Sequence, residues 1–279
     1  MRPLSLLSLF LLLPFSSLAH DDDDHPLPRP LIIEYPQPSD EGGASFQASS
    51  SRGGTWSEEE VEVRLRCDSW RVAGEANNLA PWRTVPRECA GYVEAYMTGR
   101  GYQFDLDMVY RETGAYAGAV SLAGDGGDAW VFDVDETLLS NLPYYADHRY
   151  GLELFDRHQF DKWVEKANAP AIESSLKLYN ELLDLGYKII LLTGRSEGHR
   201  SITIDNLRTA GFKNWEKLIL RGVDDRGKSA AVYKSEKREE LMTEGYRIIG
   251  NSGDQWSDLL GSSLSNRSFK LPNPMYYIP

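Results

Sequence analysis

From residue 128 onward the chain repeats a two-part pattern. A short run of consecutive apolar residues is followed by a longer stretch in which apolar residues recur every three or four positions. The runs are DAWVFDVD (128–135), YKIILLTG (187–194), EKLILRG (216–222), YRIIGNSGD (246–254) and a weaker RSFKLP (267–272). Between them lie IESSLKLYNELLDLG, SEGHRSITIDNLRTAG and AAVYKSEKREELMTEG, each with one apolar face at helical spacing. Short apolar strands alternating with such helices predict an α/β fold, a parallel sheet flanked by helices. Ligands of such sheets sit beyond the carboxyl ends of the strands, which here read FDVDET, LTG, LRG and GNSGD.

Two regions depart from the pattern. Residues 57–121 carry a capping-box signature, SEEE, and apolar positions punctuated by glycine, which predict an N-terminal helical region. Residues 138–171 contain no strand of the series and are rich in aromatics; they read as a cap or flap insertion over the carboxyl edge of a core spanning 122–279. Ahead of both, residues 1–19 combine Arg2, an apolar core from Leu4 to Phe15 and a Ser17-Leu18-Ala19 cleavage pattern, which together read as a secretory signal peptide. Residues 20–56 are acidic and rich in Pro, Ser and Gly and predict a disordered segment; Asp21–Asp24 with His25 read as solvated charge, since nothing nearby would fix them as metal ligands.

This route changes how Cys67 and Cys89 are read. In an oxidising compartment an even pair is most simply one disulfide, with two buried free thiols as the rival. Asn266-Arg267-Ser268 is an N-glycosylation sequon. The apolar fraction of 41% and aromatic fraction of 11% are ordinary for a globular chain, whereas the net charge of −12 argues against nucleic acid or an anionic membrane as partner. An anionic substrate would need a local cation or metal.

The candidate chemistry lies at the strand ends. Asp133 and Asp135, two apart on a strand, would start on one face, a spacing that suits one carboxylate attacking while the other moves a proton. Thr193 offers a hydroxyl and an N–H to an oxyanion, or else caps the next helix. Lys234 would neutralise a charged intermediate, and Asp254 with Asp258 suits a divalent cation with oxygen ligands.

Acid pair, Thr, Lys and GD-x-x-x-D in this order resemble the haloacid dehalogenase-like (HAD) superfamily of phosphohydrolases. More narrowly, CDSWRVAGEANNLAPWRTVPREC, LLSNLPYY and YKSEKREEL…GYRIIGNSGDQWSDL are similar to the plant acid phosphatase and vegetative storage protein family, akin to bacterial class B and C acid phosphatases, over about 61–279. The resemblance implies a Rossmann-like HAD fold and an aspartyl-phosphate mechanism. Asp133 would be the nucleophile and Asp135 the general acid and base. Thr193 and Lys234 would hold phosphoryl oxygens. Asp133, Asp254 and the main-chain carbonyl of Asp135 would bind Mg²⁺, with Asp258 bracing the metal's waters or the lysine.

Gly222 to Ser229 satisfies a P-loop pattern, but Asp224 and Asp225 would aim carboxylates into a phosphate cradle, and the acidic strand precedes the loop instead of following it. His148, His158 and His199 read as surface or packing residues. Tyr144, Tyr145, Phe160 and Trp163 would line a pocket for the substrate's alcohol part or pack the insertion. The expectation is a secreted or vacuolar Mg²⁺-dependent acid phosphatase acting on small phosphomonoesters, with no nucleic-acid partner and no membrane anchor; a homodimer stays open. The rival is a vegetative storage protein with a vestigial site.

Overall fold

The computed structural model describes residues 57–279; the signal-peptide and acidic-segment expectations lie outside these residues. Helix α1 (Glu58–Glu75) starts at a capping box in which Ser57 accepts from the Glu60 N–H and Glu60 accepts from the Ser57 N–H. A non-helical segment leads to α2 (Ala90–Thr98) and α3 (Arg100–Ala119). Cys67 of α1 is disulfide-bonded to Cys89, just before α2, so the pair forms one bridge and no free thiol remains among the described residues.

The sheet comprises β1 (Asp128–Phe132), β2 (Lys188–Ser196), β3 (Lys217–Arg221), β4 (Arg247–Gly253) and β5 (Arg267–Lys270), in the order β3-β2-β1-β4-β5 with every pairing parallel. Between β1 and β2 lie α4 (Leu142–Asp147), α5 (Arg157–Val164) and α6 (Glu173–Leu185); α7 (Arg200–Thr209), α8 (Ala230–Thr243) and the single-turn α9 (Trp256–Leu259) join the later strands.

Strand alternation assigns side chains to two layers. Trp130, Phe132, Ile189 and Leu191 join the larger core with Tyr179 and Leu182 of α6 and Leu106 of α3. Ala129, Val131, Ile190 and Leu192 face Tyr233 and Leu241 of α8. Both faces are therefore covered, which is why the strands are continuous apolar runs. Chain order runs outward from β1 to β3 and then crosses back to β4, so the topological switch point lies between β1 and β4.

The expected insertion folds as α4, a 3₁₀ turn and α5, and the segment after β5 returns to meet it. Gly151, at φ +90°, permits this approach twice over: the conformation disfavours a side chain, and a Cβ would lie 1.9 Å from the Met275 carbonyl oxygen. The N-terminal region reaches the strand ends through Glu75, whose carboxylate accepts from Lys270 Nζ at 2.6 Å and the Asn273 N–H at 2.7 Å, and whose carbonyl accepts from Trp256 Nε1 at 2.8 Å. Asn266 is exposed just ahead of edge strand β5.

The bridge between Cys67 and Cys89 closes a 22-residue separation, and removing it is expected to cost about 3 kcal/mol of folding free energy on loop entropy. Denaturant unfolding of the Cys67→Ser/Cys89→Ser variant measures this; unchanged stability would show that the bridge constrains nothing.

Candidate active site

Strand β1 ends at Phe132, so Asp133 and Asp135 sit in the following turn and not, as expected, on the strand itself. The ladder continues for one bond, from the Asp133 N–H to the Ser252 carbonyl at 3.0 Å. The Val134 carbonyl then accepts from the N–H groups of Leu138 and Leu139, both at 2.9 Å, and Glu136 adopts φ +53°. The two aspartates still line the same cavity, because the turn re-aims them together.

Asp133 is buried, and Lys234 Nζ donates to its Oδ1 at 2.5 Å. The same ammonium donates to Asp258 Oδ1, also at 2.5 Å. Lys234 reaches this point from the first turns of α8, whose start is capped by Ser229 accepting from the Val232 N–H. Asp258 caps α9 by accepting from the Gln255 N–H at 2.9 Å. Its carboxylate comes this near β4 only because residue 253 is glycine; a Cβ there would lie 2.5 Å from Asp258 Cβ.

Asp254, at the end of β4, accepts from Gln255 Nε2 and Asn273 Nδ2, both at 2.7 Å, and from Thr137 Oγ1 at 3.3 Å. Carboxylate oxygens of Asp133, Asp254 and Asp258 all lie within 4.8 Å of one another. When ionised, three buried carboxylates against one ammonium leave two negative charges, which fits a divalent cation with oxygen ligands. Burial pushes the Asp133 carboxyl well above the usual carboxylate range, with Lys234 opposing and Asp258 and Asp254 adding to the rise. Burial and then Asp258 push Asp254 up to about 6. Lys234 is held above its ordinary value by Asp133 and Asp258, although burial works against its charge.

Asp135 has a different environment, and its partner was not anticipated from sequence. Arg195 Nη2 donates to its Oδ1 at 2.8 Å, Nε to its Oδ2 at 3.1 Å, and Asn141 Nδ2 to its Oδ1 at 2.9 Å. Burial disfavours the charged form, but Arg195 and Asn141 outweigh it and lower the Asp135 carboxyl below its ordinary value. The signal available was a cation two residues after Thr193, at the end of an apolar strand. Thr193 itself is buried; its hydroxyl accepts from the Arg195 N–H at 3.1 Å, its carbonyl accepts from Tyr233 at 3.2 Å, and Gly194 and Arg195 form the cavity lining at this point.

Glu136 turns away into the interior, with Oε2 unpartnered and its carboxyl pushed well up by burial. Of the insertion aromatics, Tyr145 and Phe160 line the cavity, whereas Trp163 donates to buried Asn141 at 2.8 Å and Tyr144 stacks on His148 at 4.0 Å. His199 also lines the cavity, with Nδ1 3.2 Å from Ser196 Oγ. The P-loop reading fails on geometry: Lys228 is ion-paired to Asp225 and Glu236, at 3.0 and 2.6 Å, and only Lys234 enters the cavity. The C-terminal residues Tyr276 to Ile278, unassigned from sequence, form a further wall.

A parallel sheet whose switch point gathers an aspartate pair, a lysine and an acidic cluster defines a HAD-type hydrolase. A family model, HAD superfamily subfamily IIIB (acid phosphatase), matches residues 51–279, and the chain belongs to this family of enzymes. It is 59% identical over 256 residues to acid phosphatase 1 of Solanum lycopersicum, covering 92% of each chain. It is 40% identical over 215 residues to vegetative storage protein 2 of Arabidopsis thaliana, covering 76% of this chain and 80% of that protein. Among solved structures, the class C acid phosphatase of Bacillus anthracis shares the fold, with a TM-score of 0.55 and 24% identity over 66% of this chain and 83% of that one.

Because the folded Asp254 binds its proton more tightly than an unfolded aspartate, its charge destabilises the fold progressively from the ordinary value of 3.8 up to about 6 and by a constant amount above. In the absence of divalent cations, the stability gained by Asp254→Asn over wild type is therefore expected to grow between pH 4 and 6 and then level off. Calorimetric melting across this range measures it; a pH-independent difference would contradict the assignment.

Proposed function

We propose that this protein is a Mg²⁺-dependent acid phosphatase that hydrolyses phosphomonoesters through an aspartyl-phosphate on Asp133. The observation that carries the reading is the division of the acids: Asp133 sits in the metal-suited cluster with Lys234, while Asp135 stands apart on Arg195. Carboxylates in such separate environments are suited to different roles, and a cation held by the cluster would favour the ionised form that attack by Asp133 requires.

In the first step an Asp133 carboxylate oxygen attacks phosphorus, and the bond from phosphorus to the leaving oxygen breaks as Asp135 delivers a proton to that oxygen. In the second step Asp135 takes a proton from a water whose oxygen attacks phosphorus, and the bond to Asp133 breaks, releasing phosphate. Lys234 holds negative charge on the phosphoryl oxygens, and Thr193 braces the Arg195 loop while offering its own O–H. Mg²⁺ held by Asp133, Asp254 and the Asp135 carbonyl would screen the phosphoryl charge from the attacking carboxylate, with Asp258 fixing Lys234. Arg195 positions Asp135 and favours its charged form, which the second step needs; acid pH supplies the proton needed by the first.

The second reading, a storage protein with vestigial activity, is favoured by the likeness to vegetative storage protein 2. The complete set of Asp133, Asp135, Lys234 and Asp254 around one cavity supports catalysis instead. The secretory signal, an extracellular or vacuolar destination and glycosylation at exposed Asn266 are part of the proposal, while a homodimer stays open; in its support, Cys67 and Cys89 are bonded. No helix among the described residues is long and apolar enough to cross a membrane.

The test is hydrolysis of phenyl phosphate at mildly acid pH. Wild type is expected to be active, to lose activity with chelator and to regain it with Mg²⁺. Asp133→Asn is expected to lose at least about a thousandfold, in line with removal of a covalent nucleophile; retained activity would sink the nucleophile, and an inactive wild type would favour storage. Arg195→Gln removes the contact that lowers Asp135, so the limb of the pH–rate profile that reports its protonation is expected to move to higher pH, with a rate loss of about tenfold or more. An unmoved limb would detach Arg195 from this role.

A further inference from the structure

The cavity above the aspartates has a volume of about 410 Å³, far more than a phosphoryl group needs. Its charges are not all accounted for by the reaction. Lys234 is bound to Asp133 and Asp258, Arg195 to Asp135, and Arg157 Nε lies 3.8 Å from Asp161. Two further arginines line the same cavity, Arg83 and Arg221, and among the described residues neither is ion-paired to a carboxylate. In a chain with 42 acidic and 30 basic residues, two cations left without acids in one cavity run against the overall field.

Arg221 is not loose. It is the last residue of β3; its Nη1 donates to the carbonyls of Lys228 at 2.8 Å and Asp225 at 3.2 Å, and its guanidinium lies 4.5 Å above the centre of the Tyr233 ring. Carbonyls and a ring face fix the group without neutralising it, which leaves a pre-organised planar cation of the kind that takes carboxylate or phosphate in a forked geometry. Arg83 is exposed and comes from a different part of the chain, the segment between α1 and α2, so two unrelated elements deliver cations to one cavity. The wall of the same cavity includes Tyr145, Phe160, Tyr277 and Ile278, which suit a flat or apolar carbon skeleton.

We propose that Arg221 and Arg83 form a second anion subsite that selects phosphomonoesters whose leaving group carries its own carboxylate or phosphate. The inference rests on the phosphatase reading for the identity of the reacting group: that group's charge is met by Lys234 and the acidic metal cluster, so the remaining cations serve the part of the substrate that departs. Such a substrate is anchored at both ends, and the product alcohol keeps a charge that the mouth of the cavity must release.

The experiment compares matched esters differing by one anion: 4-carboxyphenyl phosphate with phenyl phosphate, and propane-1,3-diol bisphosphate with propyl phosphate. In wild type the kcat/KM ratio within at least one pair is expected to favour the ester with the second anion by about tenfold, the size of one charge-assisted contact. Arg83→Gln and Arg221→Gln are each expected to bring that ratio towards one. Ratios near one in wild type for both pairs overturn the subsite. So does an equal loss on both members of a pair in Arg221→Gln, which would assign Arg221 to the reacting phosphoryl group or to its own loop. The same esters titrated calorimetrically into the Asp133→Asn variant, alone and combined with each arginine substitution, read the subsite without turnover. A binding preference abolished by the arginine substitutions supports it even if wild type hydrolyses nothing, whereas no preference refutes it even if wild type is a good phosphatase.

Discussion

A single ammonium held between two buried carboxylates is the constraint around which this site is built. Lys234 reaches Asp133 and Asp258 at once, and with Asp254 alongside, the cluster when fully ionised carries an excess of two negative charges. Such an excess would be intolerable in a core whose only purpose was stability. Much of the surrounding structure serves to hold it: Gly253 admits the Asp258 carboxylate, Asn273 and Gln255 both donate to Asp254, and buried Arg238 donates to the Asp258 carbonyl at 2.5 Å. A cation and a phosphoryl group have complementary claims on that arrangement, the first on the carboxylates and the second on the lysine.

The sheet explains why the charge is here and not elsewhere. β1 and β4 flank the switch point, so the chain leaving each strand diverges and leaves a crevice between them. Asp133 follows one strand and Asp254 the other. The remaining walls come from distant parts of the chain: the insertion after β1, the segment following β5, and the N-terminal region, tied to the strand ends by Glu75. A fold of this kind separates the charge-bearing strand ends from walls free to set which alcohol leaves.

That division also governs what could be read from the residues alone. The strands were legible because sheets covered on both faces demand unbroken apolar runs, and Asp133, Lys234 and Asp254 were legible because each interrupts or follows such a run at an element boundary. The capping box at Ser57 was local, and the pairing of the two cysteines was the simpler of two readings. Arg195 was missed because its partner, Asp135, lies 60 positions away and nothing local distinguishes it from a solvated arginine. The C-terminal wall was missed for the same reason: Tyr276 stacks on Tyr145 at 5.0 Å across the fold, a contact that no periodicity encodes. The exact position of the aspartates, in a turn and not on the strand, depended on Glu136 adopting a left-handed backbone, which glutamate rarely advertises.

Glu136 itself shows how far the site's demands extend. A glutamate with no accessible surface, a left-handed backbone and one unpartnered carboxyl oxygen is costly on every count. Its other oxygen, however, accepts from the Asn141 N–H, and Asn141 in turn donates to Asp135 and accepts from Trp163 of the insertion. The turn carrying both aspartates and the start of the cap are thereby held by one chain of hydrogen bonds. Burial pushes the glutamate's carboxyl well up, which favours its neutral form and lowers the cost of placing it there.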